Sequence, residues 1–522
     1  MPTGPLGRLG AWGVTLLLVL PPLVGLVAAG LTTPADPYAV GSGVRWDRAF
    51  GAAWRSLWLA AAVVALSGTI GTFLGWGQAR WSGRDLQAAA LAASLPLMVP
   101  SYVTAAALSR LWADLTGAPP SGMGAAVAVL VLATVPLVQL TVATALRATS
   151  AAEEEAAESL GASDRAVFTA VVWPRLRPAL ALSGLLVGLY AISDFGVVAM
   201  LDVPVLTWRM YDAVARQQLL RASVLGGLAF ATVVPLAALA WWVRGRAPQQ
   251  AVANQRPRAP RPPTAAQRGS YLLVAGTVAT VGTLVPVAVL ASWVAEGVSR
   301  GLPFAEPWGP LLDTVWVAGL GGMALVALAS VPAMARGGRA LEGAVYATSV
   351  LPAVLVAFGW LGAALGVARM AGGRELYQLL MGSGLLLALA YGARFLAEVH
   401  GPLKTAVLRL DPRHEEAVAV LGAPRSAWMG RVALPALWPG VRTAFLLGVV
   451  VLAKELPITL LLGTPAGLQP LAFRLWDRYA EALWHDAGLA GLLLIAVGAV
   501  AQLLLRTTTD TRGGSDPIGE GR

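Results

Sequence analysis

Twelve apolar runs, each long enough to cross roughly 30 Å of hydrocarbon as a helix, alternate with shorter polar segments along the chain. They fall near 13–31, 56–76, 86–108, 123–146, 178–200 and 222–243, and again near 270–294, 314–335, 341–367, 379–399, 440–462 and 487–505. The first run has 19 residues and no small-residue cleavage site after it, which predicts a membrane span and not a leader. Between the two sets of six, Pro248, Pro257, Pro260, Pro262 and Pro263 stand among arginines and glutamines. Such a composition cannot bury itself and predicts a solvated linker over 249–269, joining a first unit (1–248) to a second (270–522). Several runs carry internal prolines, Pro96, Pro100, Pro352 and Pro457 among them. Each removes a helix hydrogen bond, a cost tolerated where neighbouring helices or a cavity supply replacements.

Between the fourth and fifth span of each set lies a polar loop, at 153–175 and 414–436. The two loops match at an offset of 261, half of the 522-residue length: Glu155, Ala156, Ala157, Gly161 and Pro174 in one, Glu416, Ala417, Gly422 and Pro435 in the other. A repeat this long means two copies of one structural unit. Within each loop, helix formers from Glu155 to Leu160 predict a short helix ended by Gly161 in the left-handed conformation. Ser163 is placed to cap a second short helix, and Pro424 stands at the corresponding start in the other copy. An apolar stripe then precedes Pro174 or Pro435, which is expected to close the element and leave a compact helix-turn-helix on the membrane surface.

This pattern resembles the EAA loop of the permease subunits of binding-protein-dependent ABC importers, with departures at Trp173 and Val418, where that family usually has Leu and Ala. The resemblance implies a type I ABC importer permease fold: all-α, integral to the membrane, about twelve transmembrane helices in two homologous six-helix halves. It also implies that each loop is a coupling helix seated on an ATP-binding subunit.

Composition agrees with membrane residence. The chain is 57% hydrophobic and 13% charged, with a mean hydropathy of +0.67, far from the usual charged share of about a quarter. Zero cysteines exclude disulfides and thiolate sites, and His400, His414 and His485 are too scattered to form a ligand cluster. No metal site or cofactor is therefore expected on the chain itself. The net charge of +10 is concentrated in segments facing one side, as the positive-inside rule requires, and not in a nucleic-acid footprint. That asymmetry and the even number of spans place both termini, and both polar loops, in the cytoplasm. Only two lysines occur, Lys404 and Lys454, neither following a glycine. A P-loop needs Gly-Lys-Ser/Thr, so the chain is not expected to hydrolyse ATP, and ATP and Mg belong on two partner subunits.

Within the spans the costly residues are Asp194, Lys454 and Glu455, with the two acids again 261 apart. An ionised group at the bilayer centre costs roughly 2.5–3.5 kcal/mol on insertion scales. These three are candidates for a pathway or gate, or for structural pairing of Asp194 with Lys454. Outside the spans, the segment with Arg209 and Asp212 recurs at an offset of 265 as that with Arg474 and Asp477, either capping the external mouth or receiving a binding protein. The stretches 95–105, 193–196 and 454–462 are similar to those of fused ferric iron permeases. Fused thiamine and phosphonate permeases share the layout. The expectation is thus an inner-membrane importer permease fed by an external binding protein, with ferric iron its substrate or thiamine, phosphonate or another small solute in its place. An ion-coupled carrier of six plus six helices is the alternative from a different class.

Overall fold

The computed structural model describes residues 5–31, 45–120, 122–246, 258–335, 338–371, 373–410, 413, 420, 424 and 428–510. Among these, helices dominate and the only β-type pairing is an isolated bridge between Trp81 and Arg261. Long apolar runs leave helices as the way to satisfy the backbone without water. After α1 (Pro5–Leu31) come α2 (Trp46–Arg80), α3 (Arg84–Ala92), α4 (Ser101–Thr116) and α5 (Met123–Arg147). Two short helices follow, α6 (Ala151–Ser159) and α7 (Asp164–Val167), then α8 (Trp173–Ser193), α9 (Gly196–Met200), α10 (Leu206–Ala215) and α11 (Leu219–Arg246). The second set opens with α12 (Ala265–Ala279) and α13 (Val285–Ser299), one span interrupted by a π turn at Thr280–Leu284. It continues through α14 (Trp308–Met334), α15 (Gly338–Thr348), α16 (Ala353–Ala371), α17 (Gly373–Gly382), α18 (Leu385–Leu408), α19 (Leu434–Ala453), α20 (Leu471–Ala480) and α21 (Trp484–Asp510).

Ten helices among the described residues are long and apolar enough to cross a membrane, and twelve if each of two bent pairs counts as one span. The protein is an all-α membrane protein. The bends correct the simple run of straight spans. The predicted helix 86–108 is broken at Val99 and Pro100, where Arg84–Met98 and Ser101–Thr116 meet at 95°. Pro100 has no N–H to offer a continuous ladder and instead occupies the cap position of α4. The predicted 341–367 is likewise two helices, α15 and α16, parted just before Ala353 by Pro352.

Packing divides the chain into two compact units, 35–296 and 1–34 with 297–522. These differ from the sequence halves in one respect: each half's first span packs with the other half's helices. In the second-half unit, α1 crosses α16 at glycine contacts, where a Cβ on Gly359 would lie 2.1 Å from the Pro22 carbonyl oxygen and one on Gly362 2.2 Å from that of Gly25. Small residues of this kind let membrane helices touch backbone to backbone. In the first-half unit, α12 is anchored by fully buried Tyr271, whose ring meets Phe73 and Trp81 and whose hydroxyl donates to the Leu74 carbonyl at 3.3 Å. Hydropathy alone records that a span exists, not which bundle it joins.

Candidate functional site

The polar segment after α5 forms as its sequence dictates at its start. α6 carries Glu155, Ala156 and Ala157, Gly161 takes φ +83°, and the Ser163 hydroxyl accepts from the Ala166 N–H at 3.4 Å. Pro174 does not close the element. It lies in the first turn of α8, and the helix runs unbroken from Asp164 to Ser193 through a π turn at Phe168–Val172. The second copy has the same device: a π turn at Met429–Ala433 immediately precedes Pro435, in the first turn of α19. A π turn shifts the hydrogen-bond ladder by one residue just where the proline supplies no N–H. Glu416, Ala417 and Gly422 lie outside the described residues.

Two neighbouring glutamates of α6 have opposite surroundings. Glu155 is exposed, whereas Glu154 is buried and accepts from Arg80 at 2.6 and 3.2 Å and from Arg258 at 2.7 Å. Arg258 also reaches Glu158 at 2.5 Å, a hydrogen bond that holds the Glu158 carboxyl below its ordinary pKa, and Glu153 pairs with Arg175. The chain carrying Arg258 is therefore pinned: the Arg261 N–H donates to the Arg80 carbonyl at 2.9 Å, and Ser82 donates back to Arg261 at 3.0 Å. The solvated linker expected over 249–269 thus ends early, with 258–261 docked and α12 starting at Ala265 behind a Thr264/Gln267 capping box. The arginine-rich composition hinted at topology only; that Arg258 serves a buried glutamate 104 residues away was not legible. Beside this network opens a cavity of about 540 Å³ lined by Trp76, Trp81, Arg165 and Phe168.

Farther along the spans, Asp194 and Glu455 occupy equivalent breaks. Asp194 ends α8 and accepts from the Ser101 hydroxyl at 2.8 Å and the Val197 N–H at 2.9 Å. This ties the break before α9 to the break before α4. Glu455 follows α19 and Lys454, and accepts from the Ile458 and Thr459 N–H groups at 3.0 and 3.1 Å and from the Thr459 hydroxyl at 3.2 Å. Sequence flagged both acids as costly and missed that each caps the short helix that follows it.

At the end of α2 away from Glu154, the repeat is again exact in conformation. Asp202 and Gly467, and Gln217 and Ala482, each 265 residues apart, all adopt positive φ. These frame α10 and α20, which carry Arg209, Asp212, Arg474 and Asp477. Asp212 pairs with Arg216 at 2.7 Å and Asp477 approaches Arg478 at 3.9 Å. Arg209 and Arg474 line small clefts, one in each unit.

Residues 70–244 match the family described as the binding-protein-dependent transport system inner membrane component. The chain is also 25% identical over 426 residues, 80% of its length and 81% of the relative's, to the Fe(3+)-transport system permease protein FbpB 2 of Haemophilus influenzae. By these two matches the chain is similar to binding-protein-dependent permeases. No solved structure matches it. The matched region contains α6, Gly161, Pro174, the Asp194 break and Arg209, so the first-half features built above lie within it. The two-copy layout of the permease, with its repeated π turns and acid-capped breaks, is that of a fused permease.

Proposed function

We propose that this permease imports ferric iron, delivered by an external substrate-binding protein and driven by two separate ATP-binding subunits in the cytoplasm. The likeness to a permease named for Fe(3+) transport, spanning four fifths of both chains, is the observation that carries the substrate. Exposed Glu155 on α6 supports the seating of an ATPase on the first loop, and the repeat extends that role to Glu416. Counted as twelve, the spans would put both termini on the same side as these loops. Closure of the ATPase pair would draw the loops together and tilt α8 and α19, the helices that continue from them. The acids at the far ends of those helices, Asp194 and Glu455, hold the breaks where the tilt is delivered, so they act as fixed caps at the pathway. In this reading iron is the cargo.

The test is reconstitution with the ATPase and binding protein in proteoliposomes. Uptake of radioactive iron from the loaded binding protein is expected to require ATP and to survive collapse of ion gradients. Uptake of thiamine or a phosphonate in its place, or iron uptake driven by an ion gradient without ATP, overturns the assignment.

A further inference from the structure

The two clefts at the outer ends of α10 and α20 are built alike and charged oppositely. In the first-half unit the cleft, about 20 Å³, is lined by Arg45, Arg48, Arg209 and Arg221 with Ala49 and Leu225. In the second-half unit the corresponding cleft, about 10 Å³, is lined by Glu306, Arg474 and Asp486 among apolar residues. The equivalences follow from the chain. The α10 segment and the start of α11 map onto α20 and α21 at an offset of 265, which pairs Arg209 with Arg474, Arg216 with Glu481 and Arg221 with Asp486. The start of α2 maps onto α14 at an offset of 258, matching Ser56 with Thr314 and Trp58 with Trp316, and pairing Arg48 with Glu306 and Arg55 with Asp313. Hydrogen bonds confirm this register, because Ser56 accepts from Leu206 N–H at 3.0 Å and Thr314 from Leu471 N–H at 2.8 Å. Likewise Arg55 donates to the Pro204 carbonyl at 3.3 Å, while Asp313 accepts from Gln469 N–H at 2.8 Å. At four equivalent positions, then, the first half carries an arginine where the second carries an acid.

The first cleft is only partly neutralised locally. Arg45 pairs with Asp47 at 3.1 Å, and Arg221 donates only to the Gln218 amide oxygen. Among the described residues, no carboxylate lies in ion-pair distance of Arg48, Arg209 or Arg221, and the buried Arg209 Nε has no hydrogen-bond partner. Burial first, then the neighbouring Arg221, Arg55 and Arg48, push the Arg209 guanidinium below its usual pKa, and Asp212 only partly offsets them. A cleft of 20 Å³ has room for about one water, so it cannot enclose a solute, and its charge is offered to something that presses on it from outside. In the second cleft the acids are fixed in place: Glu306 accepts from the Trp308 and Gly309 N–H groups, and Asp486 from that of Ala305.

We propose that the permease docks its external binding protein in one orientation only, an acidic lobe on the arginine cleft of the first half and a basic or neutral lobe on the acidic cleft of the second. The proposal rests on the reading that a binding protein approaches this end. Charge complementarity of this kind steers the encounter and rejects the wrong register, since like charges brought together cost more than good pairs return.

The chain has no cysteine, so single cysteines are reporters without background. Gln217→Cys and Ala482→Cys, equivalent and both exposed, would carry a photo-crosslinker in the ATPase-bound complex in nanodiscs of neutral lipid. Peptide mapping is expected to find one lobe of the binding protein captured from position 217 and the other from 482. Equal capture of both lobes at each position overturns the proposal, whereas capture at neither position overturns the docking reading beneath it. In parallel, Arg48→Glu with Arg221→Glu should weaken binding at least about tenfold at 50 mM salt and under about threefold at 500 mM. Arg48→Gln with Arg221→Gln should fall between and serve as the variant that keeps the fold. A loss seen only with anionic lipid would assign the cleft to lipid headgroups and sink the proposal, as would a loss independent of salt.

Discussion

At the scale of single residues, the two glutamates at 154 and 155 divide structure from display. Glu154 has a side chain only 3% exposed and holds two guanidiniums, Arg80 and Arg258. Removing one member of a buried, hydrogen-bonded ion pair leaves the other charge uncompensated and typically costs about 3–5 kcal/mol. Glu154→Gln is expected to lower the melting temperature clearly and to make the chain near Arg258 sensitive to protease, while Glu154→Gln combined with Arg258→Gln recovers part of the loss. A melting curve for Glu154→Gln that overlays wild type would show that the pair contributes nothing. Glu155, exposed on the same helix, should tolerate Gln without any change in melting. The acid of the EAA pattern was legible because its spacing repeats. Its buried neighbour was not, since an i, i+1 pair looks the same in sequence whichever member turns inward and the arginines lie 74 and 104 residues away.

Among the helices, the crossing of α1 and α16 shows where sequence legibility ends. Span count, spacing and the positions of the polar loops follow from hydropathy because every turn in lipid must bury its own backbone. The choice of partner depends on which small residues meet, and that is visible only once the helices are packed. Two glycines of α16 make the point testable. A Cβ on Gly359 would meet the Pro22 backbone at 2.1 Å, whereas one on Gly366 has 3.9 Å to the nearest atom, Ala28 Cβ. Gly359→Ala is therefore expected to force the helices apart at a cost of about 1–3 kcal/mol. Gly366→Ala should be neutral or slightly stabilising, because alanine is the better helix former by about 1 kcal/mol. Thermal melting in detergent reads both, and equal effects at the two sites would mean that α1 does not cross where these contacts put it. The straight helix expected over 86–108 fails for a related reason. Proline marks a possible break, but the 95° turn at Pro100 is fixed by what receives it, namely the Ser101 bond to Asp194 across 93 residues.

For the whole molecule, duplication does not make the halves interchangeable. The first loop is braced by its own linker through Arg258, which holds Glu154 and Glu158. At the 261 offset the counterparts are Glu415 and Ala419, so the second loop has no acid at the position of Glu158 for such a brace to hold. The braced loop would transmit motion as a rigid lever from α6 into α8. If one transport cycle needs both levers to move together, the two sites should not act additively, and removing either should cost nearly as much as removing both. Glu155→Arg, Glu416→Arg and the double variant are accordingly expected to insert normally, and each to cut ATP-driven uptake to about a tenth or less. Co-purification of the ATPase should fall with each single variant and further with the double. The measurement is uptake alongside the ATPase-to-permease ratio after affinity purification of tagged permease. Half the wild-type uptake in each single variant would show two loops working independently, and unchanged uptake in the double variant would remove the coupling role from both.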